Sequence, residues 1–241
     1  MFFMPRNYLF RAGLLAGLGA GAIGLAYQRD LRAIRARLLA GSQVIETRCG
    51  PVEYASAGEG QPVLMVHATG GGYTQAQLMA EMFAGPGYGA IAPPRFAHRR
   101  PPQAADYSAP AQADLLAALL DALQVTEPLP VVGMSIGGPI AMQFALRYPD
   151  RTQALVLLST DAYAPPAASG PKTLPAPTFI YDALFSSDFL FWCAVRFAGA
   201  ALKSAFGSTP ALQASLPAEE RAHLDAMIEG MLPIRWHRPG Y

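Results

Sequence analysis

The stretch Gly133-Met134-Ser135-Ile136-Gly137 decides the fold. It is a G-x-S-x-G pentapeptide, and its flanks matter as much as its letters. Before it runs Leu129-Pro130-Val131-Val132, short, apolar and partly β-branched, which predicts a strand. After it, Gly138 to Tyr148 (GPIAMQFALRY) predicts a helix. The serine therefore falls at a strand-to-helix turn, the setting in which this motif presents a nucleophile. Such a turn holds Ser135 in a strained conformation and leaves little room for side chains at Gly133 and Gly137. Pro139 lies in the first helical turn, where its missing N–H costs nothing. The helix N-terminus favours negative charge developing beside the serine.

Working outward, the same alternation continues. Gln43 to Thr47 and Pro51 to Ser56 read as strands joined by a turn at Cys49-Gly50. Pro62 to Val66 is fully apolar, as in a parallel sheet covered on both faces. It runs into His67-Ala68-Thr69-Gly70-Gly71-Gly72, in which His67 reads as a structural loop residue. Thr74 to Phe83 predicts a helix and Tyr88 to Ala92 a strand. Residues 93–102 form an irregular proline- and arginine-rich loop that carries a solvated His98. Ser108 to Leu123 predicts a helix with Ser108 as N-cap, and Ala154 to Ser159 a further buried strand. Strands alternating with helices predict an α/β domain with a mostly parallel sheet.

From about Val44 to Pro166, roughly half of the chain, the sequence resembles the N-terminal part of a serine α/β-hydrolase. The resemblance rests on GMSIGGPIAMQFALRYPDRTQALVLLS and on the histidine- and glycine-bearing turn after the strand at Val66. It implies Ser135 as nucleophile, with backbone N–H groups of Thr69 and Ile136 holding the oxyanion. The family usually has His-Gly where this chain has His67-Ala68. A serine rather than an aspartate at the elbow argues against the epoxide hydrolase and haloalkane dehalogenase branches. The implied substrate is a small ester or a related acyl compound, C–C bonds included. Neither a cofactor nor a metal is implied.

The family order is nucleophile, acid, histidine. Asp161, just after the strand that follows the elbow, is the candidate acid, with a turn-capping Asp as the plainer reading. His223 and His237 do not follow core strands, so the general base is not visible. Residues 166–241 resemble a helical cap, and the last core strands are missing. The expectation is a C-terminally truncated hydrolase, inactive or weak as it stands. The alternative is a non-catalytic lipid- or partner-binding protein on a partial hydrolase fold.

The 241 residues are 52% hydrophobic and 15% charged, with a net charge of +1, which gives no case for nucleic acid. Cys49 and Cys193 match neither metal spacing nor a disulfide framework. Ala12 to Tyr27 is an uninterrupted apolar run. It reads as a membrane anchor or as a signal segment cleaved near Gly24-Leu25-Ala26. The basic helix that follows favours the anchor. Arg29, Arg32, Arg35 and Arg37 outnumber Arg6 and Arg11, which places the hydrolase domain on the cytoplasmic side; cleavage would make it secreted or periplasmic. Gly19-Ala20-Gly21-Ala22-Ile23-Gly24 matches a dinucleotide fingerprint in letters only, since no βαβ unit frames it. The expected organisation is an anchor or signal segment at 1–28, a basic linker helix at 29–42, an α/β-hydrolase core at 43–165 and the cap at 166–241.

Overall fold

The computed structural model describes residues 6–68, 70–93, 108–160 and 178–236. Six strands form one sheet: β1 (Gln43–Thr47), β2 (Gly50–Ala57), β3 (Gln61–Val66), β4 (Tyr88–Ala92), β5 (Leu129–Met134) and β6 (Thr152–Leu158). Their spatial order is β1-β2-β4-β3-β5-β6. The hairpin β1–β2 and the pair β2–β4 are antiparallel, and the pairs β4–β3, β3–β5 and β5–β6 are parallel. The helices are α1 (Arg6–Ala40), α2 (Tyr73–Phe83), α3 (Ala109–Ala122), α4 (Gly137–Arg147), α5 (Thr178–Ser186), α6 (Asp188–Ala205), α7 (Pro210–Ser215) and α8 (Ala218–Glu229). This is the predicted α/β class with a mostly parallel sheet and flanking helices.

The apolar strands explain the layering. One face of the sheet, with Leu64, Val66 and Val131, is buried under Leu116, Leu119 and Leu120 of α3 and Ile140 and Phe144 of α4. The other face, with Val63, Met65 and Ala90, is buried under Tyr73, Ala76 and Met79 of α2 and Leu38 of α1. Each fully buried side chain of this size contributes about 1.5–3 kcal/mol. Ser108 caps α3 as predicted, accepting a hydrogen bond from Ala111 N–H at 3.3 Å. Charged braces tie the periphery. Arg147 makes a two-pronged bond to Asp114, and Asp121 takes both Arg48 and Arg151.

The sheet ends at β6 among the described strands, and Leu155, Val156 and Leu157 are more than a third exposed. The groove between α2 and this edge, about 300 Å³ in volume, is floored by Met65, Val132, Ala154 and Val156.

In the N-terminal region α1 runs unbroken from the apolar run through the basic run for 35 residues, about 52 Å. Gln28 to Ala40 contains no glycine or proline to stop a helix, which ends only at Gly41-Ser42. Its C-terminal half is held by the rest of the molecule. Tyr73 Oη donates to the Leu38 carbonyl at 2.6 Å, and Ile34 touches both the sheet face and the cap. Leu14, Leu15, Leu18 and Leu25 are exposed. No single helix among the described residues is long and apolar enough to cross a membrane.

The cap helices form their own cluster around Phe191, Trp192, Leu202, Ile228 and Met231. Asp188, buried at the start of α6, fastens this cluster to the rest. It accepts the Arg235 N–H at 3.0 Å and pairs with Arg35 of α1 at 3.5 Å.

Candidate functional site

Ser135 stands just past the carboxyl end of β5 with φ +50°, a left-handed conformation that non-glycine residues rarely adopt. Holding it there costs about 1–3 kcal/mol, so the surroundings must enforce it. Two backbone bonds do so. Ser135 N–H donates to the Leu158 carbonyl at the end of β6, and Gly138 N–H donates to the Ser135 carbonyl, both at 2.9 Å. Ile136 then takes helical angles (φ −63°, ψ −15°) as the N-cap of α4. Among the described residues, no backbone hydrogen bond occupies its N–H.

The two motif glycines are sterically required. A Cβ on Gly133 would lie 2.7 Å from Ala141 Cβ and 2.8 Å from the Gly137 carbonyl oxygen. A Cβ on Gly137 would lie 2.4 Å from the Val66 carbonyl oxygen and 2.7 Å from that of His67. The elbow is therefore wedged against the end of β3, where the glycine-rich loop begins. The carboxyl ends of adjacent parallel strands have been brought to one edge, where open α/β sheets keep their ligand crevice.

The loop after β3 is pinned from below. His67 is buried, and its Nδ1–H donates to the Ala68 carbonyl at 2.8 Å, a structural role as the sequence suggested. The Ala68 N–H donates to Gln75 Oε1, also at 2.8 Å. Gln75 is a buried polar side chain that sequence reasoning missed. The available signal was a glutamine in the first turn of the helix that directly follows a glycine loop. Gly71 makes room for it, since a Cβ there would lie 2.1 Å from Gln75 Oε1. Gly70, at φ +68°, turns the chain. Thr69, the expected oxyanion donor, lies outside the described residues, although its neighbours on both sides are placed.

A second strained serine stands beside the first. Ser159, at the end of β6, has φ +48°. It turns the chain so that Thr160 fills the space over Gly138, where a Cβ would meet Thr160 Oγ1 at 2.2 Å. Asp161, the candidate acid, follows immediately and lies outside the described residues, as do His98 and His237. His223 sits half-buried on α8, and its buried Nδ1 has no hydrogen-bond partner among the described residues. No described side chain hydrogen-bonds to Ser135 Oγ. The carboxylates of depressed pKa are elsewhere. The bond from Arg147 holds Asp114 below the usual range and that from Arg151 holds Asp121 there; both brace α3 rather than serve the serine. The arrangement holds a strained serine at a helix N-terminus beside a glycine-rich loop.

Similarity to known proteins agrees with this geometry. Lipase 3 of Moraxella sp. (strain TA144) is 33% identical over 121 residues, covering 49% of this chain and 37% of that protein. An alpha/beta hydrolase fold protein from Nakamurella multipartita superposes with a TM-score of 0.56 at 24% identity, covering 82% of this chain and 68% of that one. A structure described as a membrane phospholipase A, a bacterial virulence factor, superposes with a TM-score of 0.51 at 20% identity, covering 98% of this chain and 74% of that one. The matched stretch spans less than half the length of the curated relatives. The strand order, the strained serine and the glycine-rich loop find their common explanation in the match of residues 61–216 to the alpha/beta hydrolase fold, the family to which this chain belongs.

Proposed function

We propose that this chain carries the nucleophile and oxyanion machinery of a serine hydrolase acting on a carboxylic ester or related acyl bond. The observation that carries this is the φ of +50° at Ser135, enforced between β6 and α4 at the end of β5. A strained serine at a strand-to-helix turn is the form in which its Oγ is offered to a substrate. Ser135 Oγ attacks the acyl carbon, and the carbonyl oxygen becomes an oxyanion. The N–H groups of Ile136 and Thr69 stabilise it together with the α4 N-terminus. Collapse expels the alcohol and leaves an acyl-serine, which water hydrolyses. The Moraxella relative is a lipase, which supports an ester substrate.

Proton transfer from Ser135 needs a base. His67 is engaged with its own loop, and no described histidine bonds to Ser135. We therefore assign only the nucleophile and the oxyanion donors, with Asp161 as the candidate acid, and expect weak turnover from residues 1–241 alone. We read the exposed apolar half of α1 as a membrane anchor, and the excess of arginines after Tyr27 favours a cytoplasmic hydrolase domain. A second reading, a non-catalytic lipid- or partner-binding protein, is favoured by the lack of a described partner for Ser135 Oγ. A fluorophosphonate probe separates the two. The hydrolase reading expects labelling of the wild-type chain that Ser135→Ala abolishes. An unlabelled, folded wild-type chain would support the binding reading.

A further inference from the structure

The cap helices carry an apolar surface that the hydrolase reading does not use. α6 runs alongside α1 in the same direction. Tyr27 meets Phe189 at 5.1 Å and Trp192 at 5.6 Å between ring centroids. One turn further along, Trp192 Nε1 donates to Asp30 at 3.2 Å. Beyond that, Val195 and Arg196 face Ala33 and Arg37 across a groove of about 260 Å³. The α5–α6 bend at Ser187 therefore lies level with Tyr27, at the point where α1 leaves the molecule. Past that point α1 presents Leu25, Leu18, Leu15 and Leu14, rising about 16 Å from Leu25 to Leu14.

Around this base the surface is aromatic and apolar. Phe189 and Leu190 at the start of α6 are each about two-fifths exposed, and Phe179 at the start of α5 is 70% exposed. Tyr27, Phe189 and Trp192 form a cluster of rings of the kind that settles at a membrane–water boundary. Charge changes at the same level. Arg32, Arg37 and Arg196 follow on the molecule's side, with Glu229 in the same groove, and Arg29 and Asp30 neutralise each other at 2.9 Å. In length and composition α5 and α6 would suffice together for a span, but they are bent by 104°. The opposite face of α6 is also committed, since Phe191, Trp192 and Leu202 are buried in the cap. With that bend and with one face of α6 committed to protein, the exposed side chains at the start of α5 and α6 meet a membrane side-on.

We infer that the α5–α6 bend and Tyr27 form an aromatic collar seated in the headgroup layer of a phospholipid bilayer containing anionic lipid. The collar fixes α5 and α6 against the surface that α1 enters. Anionic headgroups match the arginines that follow the collar. The inference rests on the anchor reading of α1.

The test uses the full chain with Cys49→Ser and Cys193→Ser, reconstituted into mixed phosphatidylcholine and phosphatidylglycerol vesicles. A nitroxide is attached at Leu18→Cys, Leu190→Cys or Leu212→Cys. Relative accessibility to oxygen and to a water-soluble nickel chelate gives depth. The expected order is Leu18→Cys in the hydrocarbon, Leu190→Cys at headgroup depth and Leu212→Cys in water. In phosphatidylcholine alone, Leu190→Cys should move toward water. If Leu190→Cys matches Leu212→Cys while Leu18→Cys stays in lipid, the collar is wrong and the anchor stands. If Leu18→Cys is aqueous, both fall. Spin–spin broadening at Leu190→Cys that dilution with unlabelled chain removes would mean that a second copy covers the surface, which overturns the collar. Equal depth in both lipid mixtures overturns the anionic preference. Should the cysteine-free chain not fold, a Leu190→Trp chain with its cysteines intact gives the same answer: the fluorescence gained over the unsubstituted chain should be quenched more by lipids brominated near the headgroup than by lipids brominated near the acyl terminus, and the reverse order, or no quenching, overturns the collar.

Discussion

Replacing Gly137 with alanine tests the central wedge of the structure. The added Cβ would fall 2.4 Å from the Val66 carbonyl oxygen and 2.7 Å from the His67 carbonyl oxygen. Both obstacles are backbone. Val66 pairs in register with Gly133, both residues are buried, and no flexible side chain stands between them to give way. Either α4 lifts from the sheet or the end of β3 shifts. Overpacking of this kind costs about 1–3 kcal/mol, and obstacles that are all backbone argue for the upper end. For a chain of this size that is a fall in melting temperature of roughly 6–12 °C. Function should suffer further, because the displacement separates the Ile136 N–H from the loop that holds Thr69. A misplacement near 1 Å can cost about 100-fold in rate, so fluorophosphonate labelling of Ser135 should slow by at least about 10-fold. The control is Gly199→Ala in α6, where a Cβ meets nothing within 4 Å. It should be neutral or add up to about 1 kcal/mol, since alanine favours helix over glycine. A Gly137→Ala chain that melts like wild type and labels at the same rate would refute the wedge.

Other expectations follow from single contacts. Gln75→Ala removes the acceptor for the buried Ala68 N–H and should cost about 1–3 kcal/mol in urea denaturation while slowing labelling of Ser135; unchanged stability would mean that the loop does not depend on it. Acid should destabilise the fold through Asp114 and Asp121, whose pKa values are lowered in the native state by Arg147 and Arg151. Their contribution is complete above the ordinary carboxylate pKa of about 4 and is lost as pH falls through the lower native values. Because both are partly exposed, each pair is worth no more than about 1 kcal/mol, and Asp114→Asn should flatten that part of the stability–pH curve. Val156→Lys on the exposed strand β6 should reduce aggregation on heating, measured by light scattering, because a charge blunts a sheet edge. Equal scattering from both chains would show that β6 is not the adhesive surface.

What the sequence revealed and what it withheld divide along a physical line. The elbow is local. Its strand, its two glycines and its helix lie within twenty consecutive residues, so the turn at Ser135 was readable from letters alone. Strand alternation and the Ser108 cap were readable for the same reason, since period and capping residues are local signals. The joints between distant segments were not readable. That Gly137 touches β3, that Thr160 covers Gly138 and that Asp188 clasps Arg35 each depend on residues more than twenty positions apart, and that Gln75 holds Ala68 depends on how the loop between them folds. The apolar run and the basic run share one helix, since composition changes at Arg29 but nothing there breaks a helix. The same distinction separates the two halves of catalysis. Presenting a nucleophile is a property of one turn and survives in this chain as strain at Ser135. Activating it requires a base delivered from another part of the fold, and no described histidine bonds to the serine. A chain can therefore carry an enforced, strained nucleophile and still turn over slowly. Because phosphonylation of the hydroxyl needs its proton removed as acyl transfer does, labelling and hydrolysis should both be slow without a base and rise together when one is supplied, and that coupling distinguishes presentation from activation at this site.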